Sequence, residues 1–141
     1  MNDRVRVLDT DILSIWQRHP EQIEHYLIAF PPEQRAITII TAEEQLRGRL
    51  AVVRKARDSA ALVRAYTYLC ETLAFLSKIN VLPFNDAAAT KFVNLCAQRI
   101  HIGTQDLRIA ATVLSFGGIL ITRNHQDFSK VPGLTIEDWT K

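Results

Sequence analysis

Val5-Arg6-Val7-Leu8-Asp9-Thr10-Asp11-Ile12-Leu13 contains the chain's first apolar run and closes it on two aspartates. The run reads as a strand over Val5–Leu8, and a helical pattern from Ile12 to Arg18 follows it at once. A second run near the C-terminus, Ile119-Leu120-Ile121-Thr122, leads in the same way to Asp127. In an open parallel α/β sheet the carboxyl ends of the strands face the ligand crevice, so acids delivered there from distant segments converge. Like charges oppose that convergence unless a cation is shared.

Between these ends, strands and helices alternate. Ile23, Tyr26, Leu27 and Phe30 repeat at helical spacing after Pro20-Glu21, and Pro31-Pro32 stops that helix. Ala36-Ile37-Thr38-Ile39-Ile40 is a β-branched run suited to a strand buried on both faces, with a helix from Thr41 or Ala42 through Arg57. A long helix from Ser59 to Lys78 carries an apolar face of Leu62, Ala65, Tyr66, Leu69, Leu73 and Leu76. Val81–Phe84 is a short strand whose proline suits an edge or a terminus, and Asn85 or Asp86 caps a helix ending near Arg99. Gln105–Phe116 is a helix stopped by Gly117-Gly118, and Leu134-Thr135-Ile136 is the last strand. The expected fold class is α/β, with a central parallel sheet of about five strands flanked by helices on both faces.

The chain has 141 residues, 48% hydrophobic and 23% charged, which predicts a single domain over residues 1–141 with enough core to fold unaided. Its net charge of +2 hides segregation: Arg47, Arg49, Arg54, Lys55 and Arg57 crowd one stretch while acids gather at strand ends. Cys70 and Cys96 lie among apolar residues without a second ligand at metal spacing, and are expected to be small core residues of a reducing compartment. No apolar signal-peptide core is present, and no run approaches the ~20 residues of a membrane span, so a cytoplasmic protein with no membrane contact is expected.

Four acids stand out by position. Asp9 ends the first strand, Glu44 and Asp106 are expected in the first turns of helices, and Asp127 follows the fourth strand. Helix starts collect acids for electrostatic reasons alone, so no single one of these is diagnostic. The combination is. Leu8-Asp9-Thr10-Asp11-Ile12-Leu13 resembles the opening of PIN-domain nucleases, in particular the VapC-type toxins of bacterial toxin–antitoxin pairs. Thr41-Ala42-Glu43-Glu44-Gln45-Leu46-Arg47-Gly48 resembles that family's second motif, in which an acid is followed four residues later by glycine, and this selects Glu44 over Glu43. Asp106-Leu107-Arg108-Ile109-Ala110-Ala111 is similar to the third motif, Leu120–Asn124 through Asp127-Phe128 to the fourth, and Pro132–Trp139 to the usual ending. One departure is Asp11, which stands where these toxins often carry Asn.

The resemblance implies a PIN-like three-layer α/β/α fold and a metal-dependent endoribonuclease, the toxin of a toxin–antitoxin pair. Oxygen donors without a His or Cys suit Mg²⁺ or Mn²⁺ rather than zinc. The expected roles are direct metal ligation by Asp9 and Asp106, ligation by Asp127 directly or through water, and orientation of a water or a second ion by Glu44. Asp11 is placed behind these, Thr10 and Ser14 are candidates to hydrogen-bond the liganding carboxylates, and Asn124 to support Asp127. Arg47 and Arg54 share a helix face and are candidates for RNA phosphates. The implied partners are an RNA substrate, a VapB-like antitoxin and a second copy of the chain in a homodimer; Trp16, Tyr26 and Phe30 would supply an apolar groove for the partner helix.

Two other readings stay open on the residues alone. Asp9-Thr10-Asp11 also resembles the nucleophile motif of haloacid-dehalogenase-type phosphatases, although the closely spaced acidic pair such enzymes carry after a later strand is missing. The other is a non-catalytic binding module on the PIN fold.

Overall fold

Val7 and Leu8 point to opposite faces of the first strand, and both are fully buried. A strand with two buried faces needs a layer on each, and that requirement organises the fold. The computed structural model describes residues 4–141. Its strands are β1 (Arg6–Leu8), β2 (Arg35–Thr38), β3 (Val81–Leu82), β4 (Ile119–Ile121) and β5 (Thr135–Glu137), all parallel in the order β3-β2-β1-β4-β5. The helices are α1 (Thr10–Arg18), α2 (Glu24–Ala29), α3 (Ile39–Lys55), α4 (Ser59–Leu76), α5 (Asp86–Ala97), α6 (Thr104–Ser115) and α7 (His125–Phe128), with single 3₁₀ turns at Pro20–Gln22 and Pro32–Gln34. This is the three-layer α/β/α architecture of the PIN-like fold.

One core layer joins Val7, Ala36 and Leu120 to Leu95 of α5 and to Leu107, Ala110 and Val113 of α6. The other joins Leu8, Ile37, Ile119 and Ile121 to Ile12 and Leu13 of α1, Leu76 of α4 and Trp139. Chain order runs outward from β1 through β2 to β3, then returns to β4 on the other side of β1. The reversal opens a crevice at the carboxyl ends of β1 and β4.

Local chemistry fixes the helix starts. Side chains of Asp9, Thr38, Asp58, Asn85 and Asn124 accept from the first-turn amides of α1, α3, α4, α5 and α7, each such cap stabilising by about 1 kcal/mol. Gly117 ends α6 at φ +65°, and Gly118 packs so closely that an added Cβ would lie 3.0 Å from the Val5 carbonyl.

Several expectations are corrected. The β-branched run at residues 36–40 is not one strand: Thr38 accepts from the Thr41 amide at 3.1 Å, so α3 begins at Ile39. Glu44 therefore lies beyond the first turn, where the helix terminus gives it little support. In α4, Leu62, Tyr66 and Leu73 are 40%, 52% and 50% exposed, while Ala65, Thr72 and Leu76 are buried. The small residues face α3 because close helix approach excludes large ones. Cys70 and Cys96 are exposed rather than core residues, lying on outer helix faces. The α7 turn, unforeseen in the sequence, is nucleated by Asn124. Among the described residues no helix is long and apolar enough to cross a membrane.

Candidate active site

Asp9 is placed by the end of β1 and the start of α1 together. Its amide donates to the Ile121 carbonyl at 2.9 Å, continuing the β1–β4 ladder, while its side chain caps α1 by accepting from the Thr10 amide at 2.9 Å. The other carboxylate oxygen accepts from Thr122 Oγ1 at 2.8 Å. The residue is only 6% exposed. Burial, then the neighbouring Asp11 carboxyl, push its pKa up to about 7, against the pull of the Thr122 and Thr10 hydrogen bonds and with a further push from Asp106.

Asp11 lies in the first turn of the same helix. Its Oδ2 accepts from the Arg123 amide at 3.2 Å, and its Oδ1 is buried without a hydrogen-bond partner. Burial raises its pKa, partly offset by the Arg123 and Ile12 amides. Asp106, at the start of α6, is raised by burial first and then by Glu44, Asp127 and Asp11. Asp9 feels the charges of Asp11 and Asp106, and Asp106 those of Glu44, Asp127 and Asp11, so these five are neighbours in one acidic cleft beyond the carboxyl ends of β1 and β4, held there against their mutual repulsion.

Hydroxyl and amide groups hold the cleft in shape. Thr10 Oγ1 donates to Glu44 Oε1 at 2.8 Å, tying α1 to α3. Ser14 Oγ donates instead to the Thr10 carbonyl at 3.0 Å, so it serves the backbone and not a carboxylate. Asn124 both accepts from the Asp127 amide at 3.3 Å and donates from Nδ2 to Asp127 Oδ2 at 3.2 Å, and Lys130 Nζ stands 3.7 Å from the other Asp127 oxygen. Thr122 was not a candidate from sequence. Fully buried, it donates to Asp9 and accepts from the Asn124 amide at 3.0 Å, so one hydroxyl couples the first and fourth motifs. Its only signal in the sequence is a hydroxyl ending an otherwise apolar strand.

The basic stretch divides. Arg47 pairs with Glu43 at 2.9 Å, and Arg47 and Arg54 share a shallow groove with Leu46 and Leu50. Arg49 turns inward, donating to Thr72 at 2.8 Å and Gln45 at 3.1 Å over the Tyr68 ring. The aromatic groove is partly filled by the chain itself, since Tyr26 and Phe30 stack on buried Trp139 at 5.1 and 5.7 Å, leaving Trp16 edge-on to Phe75.

No family profile matches the chain. It is 29% identical over 143 residues to Ribonuclease VapC1 of Haemophilus influenzae (strain R2866), spanning 97% of this chain and 99% of that protein. Over 70 residues it is 39% identical to the tRNA(fMet)-specific endonuclease VapC of Shigella flexneri, covering 47% of this chain and 53% of that protein. Its fold matches the structure of VapBC-1 from nontypeable Haemophilus influenzae at a TM-score of 0.77 and 25% identity, over 97% of this chain and 99% of that one. Over its whole length the chain is similar to VapC-type PIN-domain proteins. DNA-bound VapBC from Salmonella typhimurium agrees, at a TM-score of 0.77 and 26% identity over 96% and 98% of the two chains.

In this cleft the candidate donors, Asp9, Asp106, Asp127 and Glu44, are all carboxylate oxygens. Among the described residues no three His, Cys, Asp or Glu side chains are arranged to hold an ion by themselves. By its chemistry an all-oxygen donor set fits a hard cation such as Mg²⁺ better than zinc. The unpartnered Asp11 Oδ1 and the raised Asp9 and Asp106 carboxyls are the features that positive charge in the cleft would relieve.

Proposed function

We propose that the acidic cleft is the active centre of an Mg²⁺- or Mn²⁺-dependent endoribonuclease, the toxin of a toxin–antitoxin pair. The observation that carries this reading is Asp9: a carboxylate buried just beyond β1, beside other acids and, among the described residues, in no ion pair with a basic side chain. Such a group is destabilising for a fold alone and useful to a metal-assisted hydrolase. The likeness to VapC ribonucleases over the whole chain supplies the substrate class.

Asp9 and Asp106 would hold the ion, with Asp127 ligating directly or through water. When bound, the ion lowers the pKa of a coordinated water and offsets charge on the phosphoryl oxygens. Glu44, which accepts from the Thr10 hydroxyl, would accept a hydrogen bond from the attacking water and take up its proton. The new bond joins water oxygen to phosphorus as the bond to the leaving ribose oxygen breaks. Asn124 and Lys130 steady Asp127, and Arg47 and Arg54 draw the RNA phosphates toward a rim that would otherwise repel them. A VapB-like antitoxin completes the proposal, since the similar solved structures are VapBC complexes, and the homodimer is what the family resemblance alone implies.

The test is incubation of partner-free protein with a pool of structured and unstructured RNAs, in Mn²⁺ or in chelator, beside Asp9→Asn. Cleavage that needs the ion and vanishes in the variant is expected. Cleavage that persists in chelator, or in Asp9→Asn, would overturn the roles given to the acids.

A further inference from the structure

At the opposite end of the sheet from the acids, Arg6 and Arg35 open β1 and β2 as register partners. The two arginines are alike in burial and unlike in partners. Arg6 donates to the Arg4 carbonyl at 3.2 Å, lies 3.9 Å from Glu137 and stacks 3.9 Å over Phe30. Arg35 is 8% exposed, and its Nε and Nη1 are buried without any hydrogen-bond partner among the described residues. No carboxylate among the described residues comes within ion-pair distance of it, and Glu33, two residues away, acts only at longer range. Its guanidinium sits 4.9 Å from the centre of the Trp16 ring.

Arg35 lines a cavity of about 160 Å³ together with Leu8, Trp16, Pro32 and Ile79, with exposed Lys78 beside it. Two cations and no anion border a pocket that is otherwise apolar. A buried guanidinium with unmade hydrogen bonds is costly, and the planar fork is matched by a carboxylate that accepts two of its N–H groups. The volume falls below the ~300–1,000 Å³ of small-molecule sites, so the pocket is the size of one side chain. Its apolar walls offer no partner to a ribose.

We propose that this pocket is an anchor site for a protein partner, taking one Glu or Asp side chain, flanked by an apolar residue, onto Arg35 and Lys78. Burial of a hydrogen-bonded acid against an aromatic wall is the arrangement that concentrates binding energy at interfaces. The site stands apart from the acidic cleft and does not depend on the nuclease reading.

The test is an NMR titration of the full chain with acetyl-Leu-Glu-Leu-amide, its Gln counterpart and inorganic phosphate, following the Arg35 Nε–H and Trp16 indole resonances. A saturable shift of both resonances by the Glu peptide, with the Gln peptide at least tenfold weaker, is expected. Arg35→Met should abolish that preference and melt no lower than the parent, because it removes an unpaired buried cation. Equal binding of the two peptides, no response at Arg35, or tighter binding of phosphate would overturn the proposal. Should Arg35→Met fail to fold, the Glu-to-Gln ratio on the unaltered chain decides alone.

Discussion

Thr122 and Asp9 lie 113 residues apart in sequence and are joined by a 2.8 Å hydrogen bond inside the protein. The donor ends β4 and the acceptor ends β1, so the bond spans the point where the order of the sheet reverses. Thr122→Val keeps the shape and removes the hydroxyl. A hydrogen bond to a charged group contributes about 1.5–3 kcal/mol, so its loss should lift the Asp9 pKa by at least about one unit and slow cleavage roughly tenfold near neutral pH. Thr122→Ser should restore both, as read by the pH–rate profile and by the Asp9 carboxyl carbon shift.

The metal-free protein should lose stability as pH rises from about 4 to about 7. The Asp9 carboxyl holds its proton up to about 7 when folded and to 3.8 when unfolded, so over that window the unfolded state releases a proton that the folded state keeps. The penalty is complete above the folded pKa and amounts to at most about 4 kcal/mol. Asp11 and Asp106 act in the same direction. Urea unfolding in chelator at pH 5 and pH 8 measures the difference, and Asp9→Asn should remove most of it.

Mn²⁺ should reverse that trend. Protons and the ion compete for the same carboxylates, so the ion should stabilise the chain more at pH 8 than at pH 5. At a hundredfold excess over Kd the gain is about 2.7 kcal/mol. Asp106→Asn should reduce it; an equal gain at both pH values, or in the variant, would place the ion elsewhere.

Gly48 and Gly118 should respond oppositely to alanine. An added Cβ at Gly118 would meet the Val5 carbonyl at 3.0 Å and Val7 Cγ2 at 3.1 Å, a clash costing about 1–3 kcal/mol. At Gly48, inside α3, nothing lies within 4 Å, and alanine should stabilise the helix by about 0.5–1 kcal/mol. Thermal melts of both variants check the pair.

Apolar periodicity and turn chemistry made the alternation of strands and helices legible, because these depend on neighbours within a few residues. The acids at residues 9, 44, 106 and 127 were visible by position and motif for the same local reason. The point where β2 yields to α3 was not visible, since a β-branched run suits a strand until a Thr38 cap turns it. Nor was the split between Arg47, paired on the surface, and Arg49, folded into a buried polar network. Helical phase alone does not say which face finds a neighbour.

By itself the sequence determined the α/β class and the parallel sheet implied by alternation, which follow from short-range patterns. Only the tertiary structure decided that Thr122 clamps Asp9 and that, among the described residues, Asp11 Oδ1 finds no hydrogen-bond partner and buried Arg35 no counter-ion. Those facts depend on which distant segments exclude water from a group and which supply it a partner, and desolvation and pairing are properties of the packed molecule.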